Sequence, residues 1–348
     1  MPQKFDLSFA QGSLARRGAV TLAVLVVYCI GSWIVLPGVV PSALFNPIGR
    51  ISILSLGVVP ILSALVLVEI VQMAYPPLRR WAASTPANET SLNGWVVLLS
   101  LAIAGYQANG VAVALEGLES LVPTPGLAFR GGVIVTLVGA TAFLVWLSSV
   151  VTRQGLGSGF LLLLAAPLLM TVPSVVLSRA YALDGGGEFG LPLTIAAFFA
   201  AASLLALADR LSPKLFGAGQ LLWPVLIAYT LAPWLLMTLL LLYPPEIFLK
   251  AIEGLKPGQP WRLVILPALT LVFYVLRARS LAQAGSTPDE AVRWLPALLV
   301  VLAVFVSELV IFLLPAPLAF DGKNVAILVV FALALIETLG PRHSSASA

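Results

Sequence analysis

The stretch Gly139–Gly159, GATAFLVWLSSVVTRQGLGSG, is an apolar run closed by an arginine and then by three glycines in five positions. It ends one apolar window, 131–151, and a second window, 158–178, begins where the glycines stop. Two such windows joined by Gly155-Leu156-Gly157-Ser158-Gly159 read as two membrane-crossing helices with a tight turn between them. The turn is not a phosphate cradle, because the lysine and the strand context of a nucleotide-binding loop are both missing. Outward from this pair, apolar windows recur at 18–36, 51–74, 94–115, 190–208, 220–243, 261–278, 294–314 and 324–339, ten in all. The expected fold is therefore all-α and integral to a membrane.

Composition says the same. A chain of 348 residues with 60% hydrophobic content, 10% charge and a mean hydropathy of +1.04 lies outside the soluble globular range. At about 20 residues per crossing, ten crossings leave only short connections. A cytosolic enzyme is excluded. Cys29 sits alone in an apolar run, so no disulfide framework or metal cluster is expected, and it reads as a small buried hydrophobe. His343 stands in a Ser-rich tail, which removes histidine acid–base chemistry, haem ligation and metal binding from the membrane region. No cofactor, metal or catalytic residue is expected. The net charge of +4 reads as a topology signal, since no basic stripe with interleaved aromatics marks a nucleic-acid surface. Lys4, Arg16 and Arg17 precede the first apolar run in the manner of a signal peptide, but the run is long enough to span and reads as an uncleaved first crossing.

With the N-terminus inside, twelve Lys and Arg residues fall on cytoplasmic segments and seven outside, which places both termini in the cytoplasm. The sequon Asn88-Glu89-Thr90 is then cytoplasmic and unmodified. Five crossings followed by five invert the second half relative to the first, giving halves 1–180 and 181–348. Gly57-Val58-Val59-Pro60 in the second window and Leu222-Trp223-Pro224 in the seventh are counterparts in this scheme. As mid-helix prolines they should kink or loosen both helices.

Few polar groups lie inside the windows: Glu69 and Gln72, Gln107, Glu308, and more mildly Ser63 and Thr230. There is no paired carboxylate motif and no chain of ionisable residues, so prenyl transfer, intramembrane proteolysis and ion pumping find no reacting groups. Glu69 and Glu308 stay open between two readings, a carboxyl hydrogen-bonded between helices and a partner or coupling site.

Several stretches resemble, in order, the SecY family of protein-conducting channels. Gly139–Leu147 followed by Thr152–Gly159 resembles the family's helix 4 to helix 5 signature, Ser52–Pro60 its helix 2, and Leu36-Pro37-Gly38 the end of its helix 1. Phe45-Asn46 resembles part of the plug segment, here near 41–50, while Pro257–Pro260 and Phe320-Asp321-Gly322 before Val325–Val330 extend the match to helices 8 and 10.

The resemblance implies a ten-helix clamshell of two inverted-repeat halves around an hourglass pore, opening sideways to lipid. Carried over by position, its pore ring is Val58, Leu62, Leu164, Leu226 and Ile327. Bulky aliphatic groups of this kind block ions by dewetting and yield around a polypeptide. The lateral gate is Pro60, Ser63, Gln107, Pro224 and Thr230, and the plug includes Phe45 and Asn46. Departures are as informative. The cytoplasmic connections that in the family dock the ribosome or the SecA motor are reduced here to about 209–220 and 277–293, the plug region is short, and Ser158 replaces the signature asparagine. Glu69 occupies a family glutamine position and Glu308 a normally apolar one.

The implied function is translocation or membrane insertion of a limited set of polypeptides in a bacterial inner membrane, without the usual ribosome or SecA docking. Its partners are the moving polypeptide, membrane lipids, a dedicated helper and a single-span SecE-like subunit. Two alternatives stand beside it: a non-conducting SecY-derived assembly or regulatory subunit, and a small-molecule transporter working through Glu69, Gln107 or Glu308.

Overall fold

The computed structural model describes residues 14–40, 51–118, 121–181, 190–212, 221–232, 253, 256–283, 294–313 and 321–339. Among the described residues, eleven helices follow in chain order: α1 (Leu14–Trp33), α2 (Val59–Ala74), α3 (Pro76–Ser84), α4 (Pro86–Glu116), α5 (Leu127–Gln154), α6 (Gly159–Tyr181), α7 (Gly190–Leu211), α8 (Leu221–Ala232), α9 (Pro260–Gln283), α10 (Trp294–Leu313) and α11 (Gly322–Leu339). Among the described residues, seven helices are long and apolar enough to cross a membrane; α2 with α3 forms a broken pair bent by 109°, and α6 and α8 supply shorter apolar stretches. Extended structure in the same residues amounts to one antiparallel bridge, Val35 with Ser52.

The chain divides into two compact units. One holds Phe5–Gln72 and Leu78–Ala166; the other holds Pro167–Ala348 with Met1–Lys4 and Met73–Pro77. In the first, α5 packs on α4 and α1. The close approach of α4 and α5 follows from Ser100, Ala104, Ala108 and Ala112, a run at spacing four on α4 with no exposed surface, which leaves room for Val133 and Leu137 of α5. At one end of this pair the chain on either side of 41–50 is tied down. Leu36 donates its N–H to the Ile51 carbonyl at 3.2 Å and Ile53 to Ile34 at 2.9 Å, while Leu36, Val39, Leu121, Val122 and Phe129 close a core with Ala108 and Ala112. Glu116 at the end of α4 pairs with Arg130 of α5 at 2.6 Å and accepts the Gly126 N–H at 2.9 Å.

In the second unit α10 is central, packing on α7, α9 and α11. Again small residues face inward: Ala201 and Ala208 on α7, and Ala297, Ala303 and Ser307 on α10.

One expectation about prolines is corrected. Residues 53–58 are turns rather than helix, with Gly57 at φ +51°, so α2 begins at Val59 and Pro60 is its second residue. A proline there lacks only an N–H that has no helical partner anyway, so it starts the helix instead of kinking it. Val58 accordingly precedes α2, and its carbonyl accepts the Leu62 N–H at 2.9 Å. Helix α3 falls where the apolar windows leave only a connection; Asn88 of α4 anchors it by donating to the Trp81 carbonyl and the Ser84 hydroxyl, both at 3.0 Å.

Candidate functional site

The glycine-rich turn between α5 and α6 shows why its sequence is so restricted. Gly157 has φ +72°, a left-handed conformation that costs a non-glycine residue roughly 1–2 kcal/mol. A Cβ on Gly159 would overlap the backbone carbonyl of Ser148, and one on Gly155 would sit 2.9 Å from Val151 and from the Thr21 hydroxyl. That tightness seats α1 on the turn: Arg17 Nε donates to the Gly155 carbonyl at 2.9 Å, and Thr21 Oγ1 accepts the Leu156 N–H at 2.9 Å. The turn then launches α6, with Gly159 N–H donating to Thr152 Oγ1 at 3.0 Å.

All five pore-ring candidates are buried, none more than 7% exposed. More telling is the company each keeps. Pro60–Ala64 on α2, Leu161–Ala166 on α6, Val225–Ala228 on α8 and Val325–Ile327 on α11 are buried at every consecutive position. Elsewhere the apolar helices show one buried stripe and an outer face exposing Trp95, Tyr106 and Val135 at 65–74%. A helix apolar all round that is also buried all round belongs to the interior of a membrane protein, not to its lipid face.

Of the gate candidates, Pro60 and Ser63 are buried on α2, Pro224 is buried on α8, and Thr230 is half-buried one residue past Tyr229. Gln107 is half-buried on α4, and its carbonyl oxygen is shielded without a hydrogen-bond donor. Phe45 and Asn46 lie outside the described residues. Among the described residues no group of three or more His, Cys, Asp or Glu side chains is placed to hold a metal.

Both intramembrane glutamates have cationic partners that periodicity does not reveal. Glu69 of α2 accepts from Arg79 Nη2 of α3 at 2.6 Å, with both side chains at most 7% exposed, and the 109° bend brings them together. Arg79 Nε and Nη1 are buried without further partners.

Glu308 of α10 is the centre of a larger cluster. Its Oε2 accepts from Arg262 Nε of α9 at 2.6 Å; its Oε1 accepts the Tyr229 hydroxyl of α8 and, at 3.3 Å, the Gly322 N–H of α11. Arg262 also reaches Asp321 at 3.5 Å and lies 5.6 Å from the Tyr229 ring centre, while Asp321 caps α11 by accepting the Asn324 N–H at 2.9 Å. The Glu308 side chain is 1% exposed. For Glu308 the reading as a carboxyl hydrogen-bonded between helices is the geometry found. A third buried cation, Arg277 of α9, lies 5.8 Å from the Trp223 ring centre. One signal could have found these partners: a carboxylate at membrane depth demands a cation. That rule gives no address when the cation is 46 residues away.

Comparison with known proteins then places the fold. A SecY protein whose plug domain stabilises the closed translocation channel superposes with a TM-score of 0.65 over 94% of this chain and 92% of its own, at 15% identity. Canine Sec61 from the ribosome–channel complex of the endoplasmic reticulum gives 0.62 over the same shares, also at 15% identity. These likenesses concern the fold. In sequence, the protein translocase subunit SecY of Aquifex aeolicus is 29% identical over 220 residues, covering 56% of this chain and 51% of its own. That of Rickettsia bellii is 30% identical over 201 residues, covering 51% and 46%. The chain thus spans about half the length of the curated relatives it matches. The SecY family model matches residues 52–277, from the turn before α2 into α9, and on that match the chain belongs to the SecY family.

Proposed function

We propose that the chain is a protein-conducting channel whose constriction is formed by Val58, Leu62, Leu164, Leu226 and Ile327. The observation that carries this reading is the burial of all five aliphatic side chains, three of them, Leu62, Leu164 and Leu226, on stretches of helix buried through a full turn. Such side chains hold no water in place, so a closed constriction dewets and seals, and it deforms around a polypeptide without losing hydrogen bonds. Ten crossings in halves 1–180 and 181–348, both termini cytoplasmic, and a bacterial inner membrane complete the proposal. Pro60, Ser63, Gln107, Pro224 and Thr230 belong to the lateral gate, where polar contacts between helices are weak enough to part. Phe45 and Asn46 belong to the plug. A single-span SecE-like subunit and membrane lipids cover the outside.

The channel serves a limited set of polypeptides and does not dock the ribosome or SecA in the usual way. This part rests on how little sequence separates the apolar windows, about 209–220 and 277–293, the latter carrying Asp289 and Glu290. A dedicated helper takes their place.

The test is a photo-crosslinking residue at position 62 in the native membrane, with mass spectrometry of what becomes attached. Adducts to one or a few secreted or membrane polypeptides are expected. Their absence, with good expression and with crosslinks to a stable partner from a lipid-facing control at Tyr106, would transfer the chain to the class of non-conducting assembly subunits.

A further inference from the structure

The geometry points to Glu308 as the positioning residue of the C-terminal half of the constriction: one carboxylate on α10 fixes α8 and α11 in register, and with them Leu226 and Ile327. This rests on the channel reading above and names a residue that it does not use.

Glu308 Oε1 takes a hydrogen bond from each of two different helices, the Tyr229 hydroxyl on α8 and the Gly322 N–H on α11. Leu226 lies three residues before Tyr229, one turn away on the same side of α8. Ile327 lies five residues after Gly322, in the second turn of α11. At 1.5 Å rise per residue these offsets are about 4.5 Å and about 7.5 Å along their helices. In the ten-crossing order proposed above, two crossings, α9 and α10, separate α8 from α11, so α8 and α11 run in opposite senses and both offsets point the same way from Glu308. The two ring candidates therefore come within about two residues of the same depth because a single side chain holds both helices.

Three further features keep Glu308 on these partners. Arg262 binds the other oxygen, so the carboxylate is oriented by a charged, nearly bidentate contact at 2.6 and 3.4 Å. Asp321 draws the same guanidinium toward the first turn of α11 while capping that turn. Glycine at position 322 keeps Tyr229 in place, since a Cβ there would stand 2.5 Å from the Tyr229 hydroxyl and 3.3 Å from Val304 and would push the hydroxyl off Glu308. A cluster serving stability alone would need no such convergence on one oxygen; an apolar core of similar volume holds helices together as well or better.

The test reads ion leak through the resting protein. The full chain, unsubstituted or carrying one substitution, is reconstituted into liposomes from the fraction that elutes as a single folded species, and chloride efflux is followed. Ile327→Ser and Leu226→Ser are the reference leaks, since they breach the constriction directly. Glu308→Ala is expected to raise efflux about tenfold over the unsubstituted protein, the factor that corresponds to a shift of about 1.4 kcal/mol in the balance of closed and open forms. Tyr229→Phe, which removes one hydroxyl and folds readily, leaks less than Glu308→Ala but above the unsubstituted protein. Glu308→Gln, which keeps an acceptor for Tyr229 and Gly322, stays nearest to it. If the serine references leak while both Glu308→Ala and Tyr229→Phe remain tight, Glu308 does not position the constriction and the channel reading stands. Should Glu308→Ala yield no folded fraction, Tyr229→Phe alone decides in the same terms. If the serine references are themselves tight, the constriction is misplaced and the positioning role falls with it.

Discussion

The turn between α5 and α6 and the cluster around Glu308 solve the same problem, holding membrane helices at a fixed offset, with opposite materials. The turn uses absence. Gly155 and Gly159 lack the Cβ atoms that would strike Val151 and the Ser148 backbone, so α6 starts in contact with α5, and Arg17 and Thr21 of α1 complete the corner through backbone groups. The cluster uses charge, with Arg262, Asp321, Glu308 and Tyr229 brought from the ends and middles of four helices to satisfy one another where water is scarce. Close backbone approach needs only residues near in sequence and leaves a motif; charge pairing needs residues far apart and leaves single letters. The first therefore tolerates almost no change in size, and the second almost no change in charge.

The comparison breaks most sharply at Gly159. Gly159→Ala should cost on the order of 5 kcal/mol, at the upper end for point substitutions, because backbone rather than a flexible side chain stands in the way; loss of the folded elution peak, or a large fall in melting temperature in detergent, checks it. Next comes Glu308→Ala, which takes from Arg262 its nearest carboxylate and leaves Asp321 at 3.5 Å, and should destabilise by about 3 kcal/mol. Replacing both charges, Glu308→Leu with Arg262→Met, should recover most of that loss, since a well-packed apolar pair replaces a buried ion pair at little net cost. A double variant as unstable as the single one would show that the loss comes from packing around Glu308 and not from an uncompensated charge. Gly157→Ala sharpens the other side: it meets left-handed backbone at φ +72°, and a loss of about 1–2 kcal/mol should appear in the same melting assay. Smallest is Tyr229→Phe, at about 1 kcal/mol for one hydrogen bond, small enough for its effect on ion leak to be read on a folded protein.

The same contrast explains what was legible in the chain. Apolar windows at 131–151 and 158–178 and the glycines between them correspond to α5, α6 and their turn, because hydropathy and tight turns are local properties. Glu308 and Glu69 were visible as anomalies, but Arg262, Tyr229, Asp321 and Arg79 were not visible as their partners. Arg262 reads as one more topology charge near the start of α9, and Arg79 as part of a basic connection. Pro60 was misplaced for a related reason: the window 51–74 is apolar throughout, and hydropathy alone does not register that Gly57 takes a positive φ and ends the preceding turns.

By itself the sequence determined a polytopic, all-helical membrane chain, its order of apolar segments and its kinship with the SecY family, since each depends on composition or on residues within one turn of each other. Only the tertiary structure decided which of many interchangeable aliphatic residues are enclosed on all sides, where α2 begins, and that Glu308 answers to three neighbouring helices at once. Those depend on which surfaces meet. An aliphatic side chain in a membrane helix carries no mark of whether it faces lipid or protein, and a charge carries no mark of its partner until the helices have packed.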